Sequence, residues 1–149
     1  MTRSYEDFSL GETIALPAYQ VGQDEMIAFA ERYDPQSFHT DVDAAKESPF
    51  AGLIASGWLT TAIVMRMQCD GFLGDSTCVG SPGVDEIRWL LPARPGDILC
   101  GTVEVVGLRP SRSRPDRGLV TSEVTVCNQA GHRVMTLTTL AIYLRRTPS

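Results

Sequence analysis

Gly57-Trp58-Leu59-Thr60-Thr61-Ala62-Ile63-Val64-Met65-Arg66-Met67-Gln68-Cys69 decides the fold, because its only charge is Arg66. The residue before it, Ser56, suits an N-cap, since its hydroxyl can accept a bond from a free N–H of the first helical turn. A helix that is apolar on nearly every side must be buried nearly all round. Trp58, Met65 and Met67 accordingly read as core, with pocket lining as the alternative. In a chain of 149 residues, other segments of the same chain have to wrap this helix.

The wrapping material follows in the sequence. Val84–Leu91 is strand-like and ends at the turn-forming run Pro92-Ala93-Arg94-Pro95-Gly96-Asp97. Ile98–Leu108 alternates, with Val103 and Val105 opposite Thr102 and Glu104, and Leu119–Cys127 repeats the pattern with Val120, Val124 and Val126. Asn128-Gln129-Ala130-Gly131 reads as a hairpin turn before a long final strand, His132–Leu144. Thr13–Tyr19 is a short strand ahead of the helix. Short connections between consecutive strands predict an antiparallel meander. Upstream, Met26, Ile27, Ala30 and Tyr33 recur at helical spacing over Gln23–Tyr33, and Asp34-Pro35 ends that helix because a residue before proline is pushed out of the α region. A helical turn is expected over Val42–Lys46 and a loop over Gly71–Gly80. With no repeat, linker or low-complexity segment, the expectation is one domain over residues 1–149. Its class is α+β, with about five antiparallel strands around a central helix at about residues 57–69.

Composition narrows the function. Hydrophobic residues make up 43% and charged ones 21%, the profile of a soluble globular protein. Asp and Glu number 18 against 13 Lys and Arg, giving a net charge of -5 that phosphate backbones would repel, so no nucleic-acid partner is expected. Pro49–Met65 falls short of the ~20 apolar residues a membrane span needs. No membrane partner and no signal peptide are expected. The cysteines stand at 69, 78, 100 and 127 without a close pair, and the histidines are His39 and His132, so no metal site is expected. The thiols read as the reduced cysteines of a cytoplasmic protein.

Two places could carry chemistry. In Asp34-Pro35-Gln36-Ser37-Phe38-His39-Thr40-Asp41, an Asp and a His can share a water, one accepting its proton while the other orients it. The alternative is that Asp34 caps a turn and His39 fills a semi-polar gap. At Ala55-Ser56-Gly57-Trp58, backbone N–H groups at the helix start carry the positive end of the dipole, and glycine lets a ligand approach closely. Such a terminus can hold a developing enolate, or Ser56-Gly57 can simply begin a tightly packed helix. Ser56 lacks the glycines of a nucleophile elbow, since Ile54 and Trp58 stand in their places.

Together with Phe29-Ala30, Ala44, Phe50 and the run Gly52-Leu53-Ile54-Ala55-Ser56-Gly57-Trp58-Leu59, these segments resemble the MaoC-like hydratases and dehydratases, which include the (R)-specific enoyl-CoA hydratases. The likeness extends through Asp85-Glu86-Ile87-Arg88-Trp89 and Arg94-Pro95-Gly96-Asp97. It implies a hotdog fold, a homodimer or dimer of dimers, and hydro-lyase activity on a 2-enoyl or 3-hydroxyacyl thioester. Coenzyme A would enter as part of the acyl-CoA substrate, with no other cofactor. Asp34 and His39 fall on the catalytic positions of the family's Asp-x-Asn-Pro-x-His motif, with Gln36 and Ser37 replacing its Asn and Pro. The helix His of the family becomes Ser56, next to Gly57 as the oxyanion donor, and a serine that anchors the catalytic loop in some hydratases falls at Met65. Phe38, Leu53 and Ile54 flank the proposed site as an acyl pocket. Arg112 and Arg114, in an arginine-rich loop over residues 109–118, could meet the phosphates of coenzyme A, or belong to a solvated hairpin. Two other functions fit the same ligand. One is a non-catalytic acyl-CoA-binding or interaction protein. The other is a hotdog thioesterase, which the absence of Asp and Glu from Ser48 to Cys69 disfavours.

Overall fold

The computed structural model describes residues 2–147. In chain order the elements are β1 (Thr13–Gln20), α1 (Gln23–Tyr33), α2 (Ser37–Thr40), α3 (Val42–Lys46), α4 (Gly57–Gly71), β2 (Cys78–Trp89), β3 (Ile98–Pro110), β4 (Arg117–Cys127) and β5 (Arg133–Leu144). Single 3-10 turns occupy Tyr5–Asp7 and Leu73–Asp75. The five strands form one antiparallel sheet in the order β1-β3-β4-β5-β2. Its concave face holds α4. Ile63, Val64 and Met67 of the helix pack against Leu99, Val103, Val124, Val126 and Met135 of the strands. Each such buried side chain stabilises the fold by about 1.5–3 kcal/mol.

Three expectations need correction. The meander holds for β3, β4 and β5, but β2 pairs with β5 rather than with its successor β3. The connection after β2 is too engaged to form a hairpin. Ala93 accepts a backbone bond from Ala55, and Gly96 and Asp97 bond Val21, so the chain is carried past the start of α4 to the opposite edge of the sheet. Next, β2 begins at Cys78, inside the expected loop. Its first half has no readable alternation because Gly80 and Gly83 take φ of 139° and 157° and the register shifts at both. Finally, Met67 is core, but Trp58 and Met65 are 58% and 49% exposed. The sheet covers one side of α4 and leaves the stripe bearing these two residues uncovered within the chain. Among the described residues, no helix is long and apolar enough to cross a membrane, and all four cysteines are free thiols.

Candidate active site

Asp34 closes α1, its N–H bonding the Ala30 carbonyl. The short α2 then carries His39 inward, where it is 5% exposed. This turn is fastened to the segment before α4 by backbone contacts, since the Ile54 N–H donates to the Phe38 carbonyl. His39 Nδ1 lies 2.8 Å from the Ile54 carbonyl oxygen. A carbonyl can only accept, so Nδ1 carries a proton, which leaves Nε2 as the basic nitrogen of the ring in its neutral form. Nε2 in turn lies 3.3 Å from Asp34 Oδ2. Phe38 sets its ring edge against the imidazole at 4.5 Å between centroids, and Phe50 backs Phe38 at 5.3 Å.

Asp34 is held from two further sides. The Ser56 hydroxyl donates to Oδ2 at 2.7 Å, and the Gln36 amide donates to Oδ1 at 2.7 Å. The Ser56 bond is the main reason the carboxyl sits below its ordinary range, with Gln36, and His39 in its protonated form, acting the same way against the opposing effect of burial. The same Ser56 oxygen accepts from the Trp58 N–H, so one hydroxyl caps α4 and anchors the carboxylate. Sequence reading placed Ser56 on the substrate side and the anchoring serine at Met65. In the structure Ser56 is the anchor, and Met65 lies on the uncovered stripe of α4.

The Gly57 N–H, first in α4, stands outside the intrahelical ladder. Over it lies Trp89, the last residue of β2. A Cβ at Gly57 would come 2.6 Å from Trp89 Cε2, so only glycine admits the indole. Trp89 Nε1 donates to Thr61 Oγ1 at 3.2 Å, and Thr61 Oγ1 donates to the Gly57 carbonyl at 2.9 Å. Trp58 meets the same indole edge-on at 5.1 Å. Trp89 was not assigned a role from sequence. The signal available was a glycine at a helix start facing a strand-end aromatic, which no spacing rule connects.

His39, Gly57, Phe38, Ile54 and Trp89 line one cavity of about 410 Å³. Phe38 and Ile54 thus lie where an acyl group would sit, whereas Leu53 turns into the main core and does not line the cavity. Arg112 and Arg114 are not brought to this site. Their loop adjoins Gly118, which pairs with Tyr143, which pairs with Cys78 at the start of β2, most of a strand length from Trp89 at its end. Among the described residues, no three His, Cys, Asp or Glu side chains gather as metal ligands would. The arrangement offers a positioned base, a carboxylate beside it, and a backbone donor across the same space.

Comparison with known proteins gives the family and the fold. The profile of the MaoC-like domain matches residues 7–128. The chain is 31% identical over 125 residues to the uncharacterised protein YdeM of Bacillus subtilis, covering 83% of this chain and 86% of that protein. It superimposes with a TM-score of 0.87 on the MaoC-like dehydratase from Rhodospirillum rubrum, at 37% identity over 97% of this chain and 98% of that one. The R-hydratase PhaJ1 from Pseudomonas aeruginosa shares the fold at 21% identity, with a TM-score of 0.80 over 97% of this chain and 88% of the other.

Proposed function

The chain belongs to the MaoC-like domain family and has its hotdog fold, and on that premise we propose that it is a hydro-lyase adding water to a 2-enoyl thioester, or removing it from the 3-hydroxyacyl form. The observation that carries this reading is the His39 ring, which lines the cavity bounded by Gly57 with its Nδ1 committed to Ile54 and its Nε2 beside Asp34.

In the hydration direction the Asp34 carboxylate orients a water by accepting one of its hydrogen bonds. His39 Nε2 takes the other proton as the water oxygen bonds to C3. The imidazolium that forms is steadied by the Asp34 charge. Electron density shifted from the double bond collects on the thioester oxygen, where the Gly57 N–H and the positive end of α4 hold it. Return of the proton from Nε2 to C2 completes a syn addition, with water consumed and the base restored. No electrons are transferred, so the step asks for no redox cofactor. We assign coenzyme A as the carrier of the acyl group.

A second copy of this chain is the proposed partner, covering the Trp58 and Met65 stripe together with the edge strand β2. Sedimentation velocity should show a dimer, and a monomer at working concentration would overturn that assignment.

The activity is tested by loss of enoyl-thioester absorbance over a panel of trans-2-enoyl-CoAs, plain, branched and oxygenated. Asp34→Asn and His39→Ala should each lower kcat by about 100-fold or more, as loss of a positioned acid–base group does, while acyl-CoA is still bound. A silent panel with acyl-CoA bound would establish a non-catalytic binding protein instead.

A further inference from the structure

Strand β2 runs back along α4, and the two share one seam. Trp89 lies over Gly57 at one end, while Cys78 meets Cys69 and Phe72 around a second cavity at the other. This cavity measures about 350 Å³ and has no lining residue in common with the one at His39. Its walls are mainly hydrocarbon, from Phe72, Leu73, Leu140 and Ala141, with Met65 and Val84 at the rim that the second copy would close. Two polar side chains interrupt them. Gln68 is 3% exposed and Ser122 is 6% exposed, and both line the space. Neither the Gln68 amide nor the Ser122 hydroxyl makes a hydrogen bond to any described residue, and neither is sealed from the cavity as a fully enclosed polar atom would be.

Native proteins satisfy polar groups at a cavity wall with protein atoms, ordered water or a ligand. Here the protein supplies none. Leu or Met would fill a similar volume and complete the hydrocarbon wall, so the amide is explained by what enters the cavity. Gly57, Thr61, Met65 and Gln68 fall on one stripe of α4, at intervals of four, four and three residues. At 1.5 Å per residue Gln68 lies about 16 Å along the axis from Gly57, within reach of a long extended acyl chain.

We infer that this cavity receives the distal part of the acyl chain and recognises an oxygen substituent on it, so that the substrate class is a hydroxy- or keto-substituted long-chain acyl thioester. The inference rests on the hydro-lyase reading of the first cavity. The Gln68 amide and the Ser122 hydroxyl can each donate and accept, which suits a hydroxyl or a carbonyl alike. An unsubstituted chain would strip both groups of water and leave them unpaired, and sites of that kind reject the analogue lacking the polar group. The amides of a pantetheine arm present related chemistry, but the predominantly hydrocarbon wall favours the acyl chain.

The test is calorimetric binding to the intact chain of hexadecanoic acid, its positional hydroxy and keto derivatives, and pantetheine, with no turnover required. One oxygenated isomer should bind about tenfold tighter than hexadecanoic acid, the equivalent of one buried hydrogen-bonding group satisfied. Gln68→Leu, close in volume, should reverse that order, and Ser122→Ala should narrow it. Circular dichroism confirms that each variant is folded, with Gln68→Met as the substitute where Leu is not tolerated. Equal affinities in the wild type overturn the inference. So does a preference that survives Gln68→Leu, or tighter binding of pantetheine that Gln68→Leu abolishes. Failure of the enoyl-CoA panel overturns the hydro-lyase reading instead, and the two results are read independently.

Discussion

Ser56 carries two duties through one oxygen, capping the Trp58 N–H and donating to Asp34. The second duty makes its contribution depend on pH. Asp34 has a folded-state pKa below its unfolded value. Its contribution is therefore present above the ordinary carboxylate range and lost as pH falls through the lowered folded value. Ser56→Ala removes the largest cause of that lowering together with the cap. The variant should be less stable at neutral pH by on the order of 2–3 kcal/mol. The difference should shrink on acidification until only the cap's share remains, about 1 kcal/mol. Urea unfolding across a pH series measures this, and a difference that stays constant with pH would show that Asp34 is not held by Ser56. The sequence made Asp34 and His39 conspicuous as an acid and a base in one polar loop. It could not show Ser56 reaching Asp34 across 22 residues, because that distance is closed by tertiary bonds that join Phe38 and His39 to Ile54.

At the scale of elements, the start of α4 and the end of β2 form one unit through Gly57, Trp89 and Thr61. Gly57→Ala would place a methyl carbon 2.6 Å from the Trp89 ring, closer than van der Waals contact allows. The tryptophan must then move, releasing its bond to Thr61 and its contact with Trp58, and the methyl group stands beside the N–H proposed to hold the enolate. Global stability should change little, because the indole is largely at the surface. Turnover should fall by roughly 10²-fold or more, the scale of losing an oxyanion donor, with a shift in tryptophan fluorescence. Unchanged turnover with the fluorescence shift would separate Trp89 from the chemistry. Element identity was largely legible from period and punctuation: α1, α3 and the cap of α4 stand where expected. The neighbour of β2 was not legible. Alternation says which face of a strand is buried, but carries no information on which strand lies beside it, and the glycine bulges erased even that alternation in its first half.

The whole molecule is closed at the end remote from His39 by its first residues. Phe8, nearly fully buried, packs on Tyr143 at 4.6 Å and on Phe72 at 6.4 Å, with the Arg3 guanidinium over its ring at 4.3 Å. Val105 and Val120 complete this second cluster. Around it Arg3 pairs with Glu12, and Arg146 meets Asp7 through both carboxylate oxygens. The Arg146 bond keeps the Asp7 carboxyl down at about 2, so this clasp persists through moderately acid solution. Phe8→Ala should cost about 3–5 kcal/mol, the usual loss for a buried phenylalanine, measured as a lower urea midpoint. A cost below 1 kcal/mol would mean that the N-terminal segment folds onto a body already complete without it.

The strand order also has a consequence for how the chain is made. Cys78 and Trp89 of β2 find their partners at Tyr143 and Met135, and β1 finds its own on β3. On the ribosome, α4 and β2 therefore emerge with only β1 already made, well before β3, β4 and β5, which form the rest of the sheet around the helix and include the partner of β2. At roughly 5–20 residues per second the helix waits several seconds for β5, its apolar faces open to solvent and to other nascent chains. Synthesis from the opposite end would have no such interval. The interval is when this protein is most prone to aggregation, and slowing translation over residues 98–144 should lower its soluble yield more than an equal delay before Gly57.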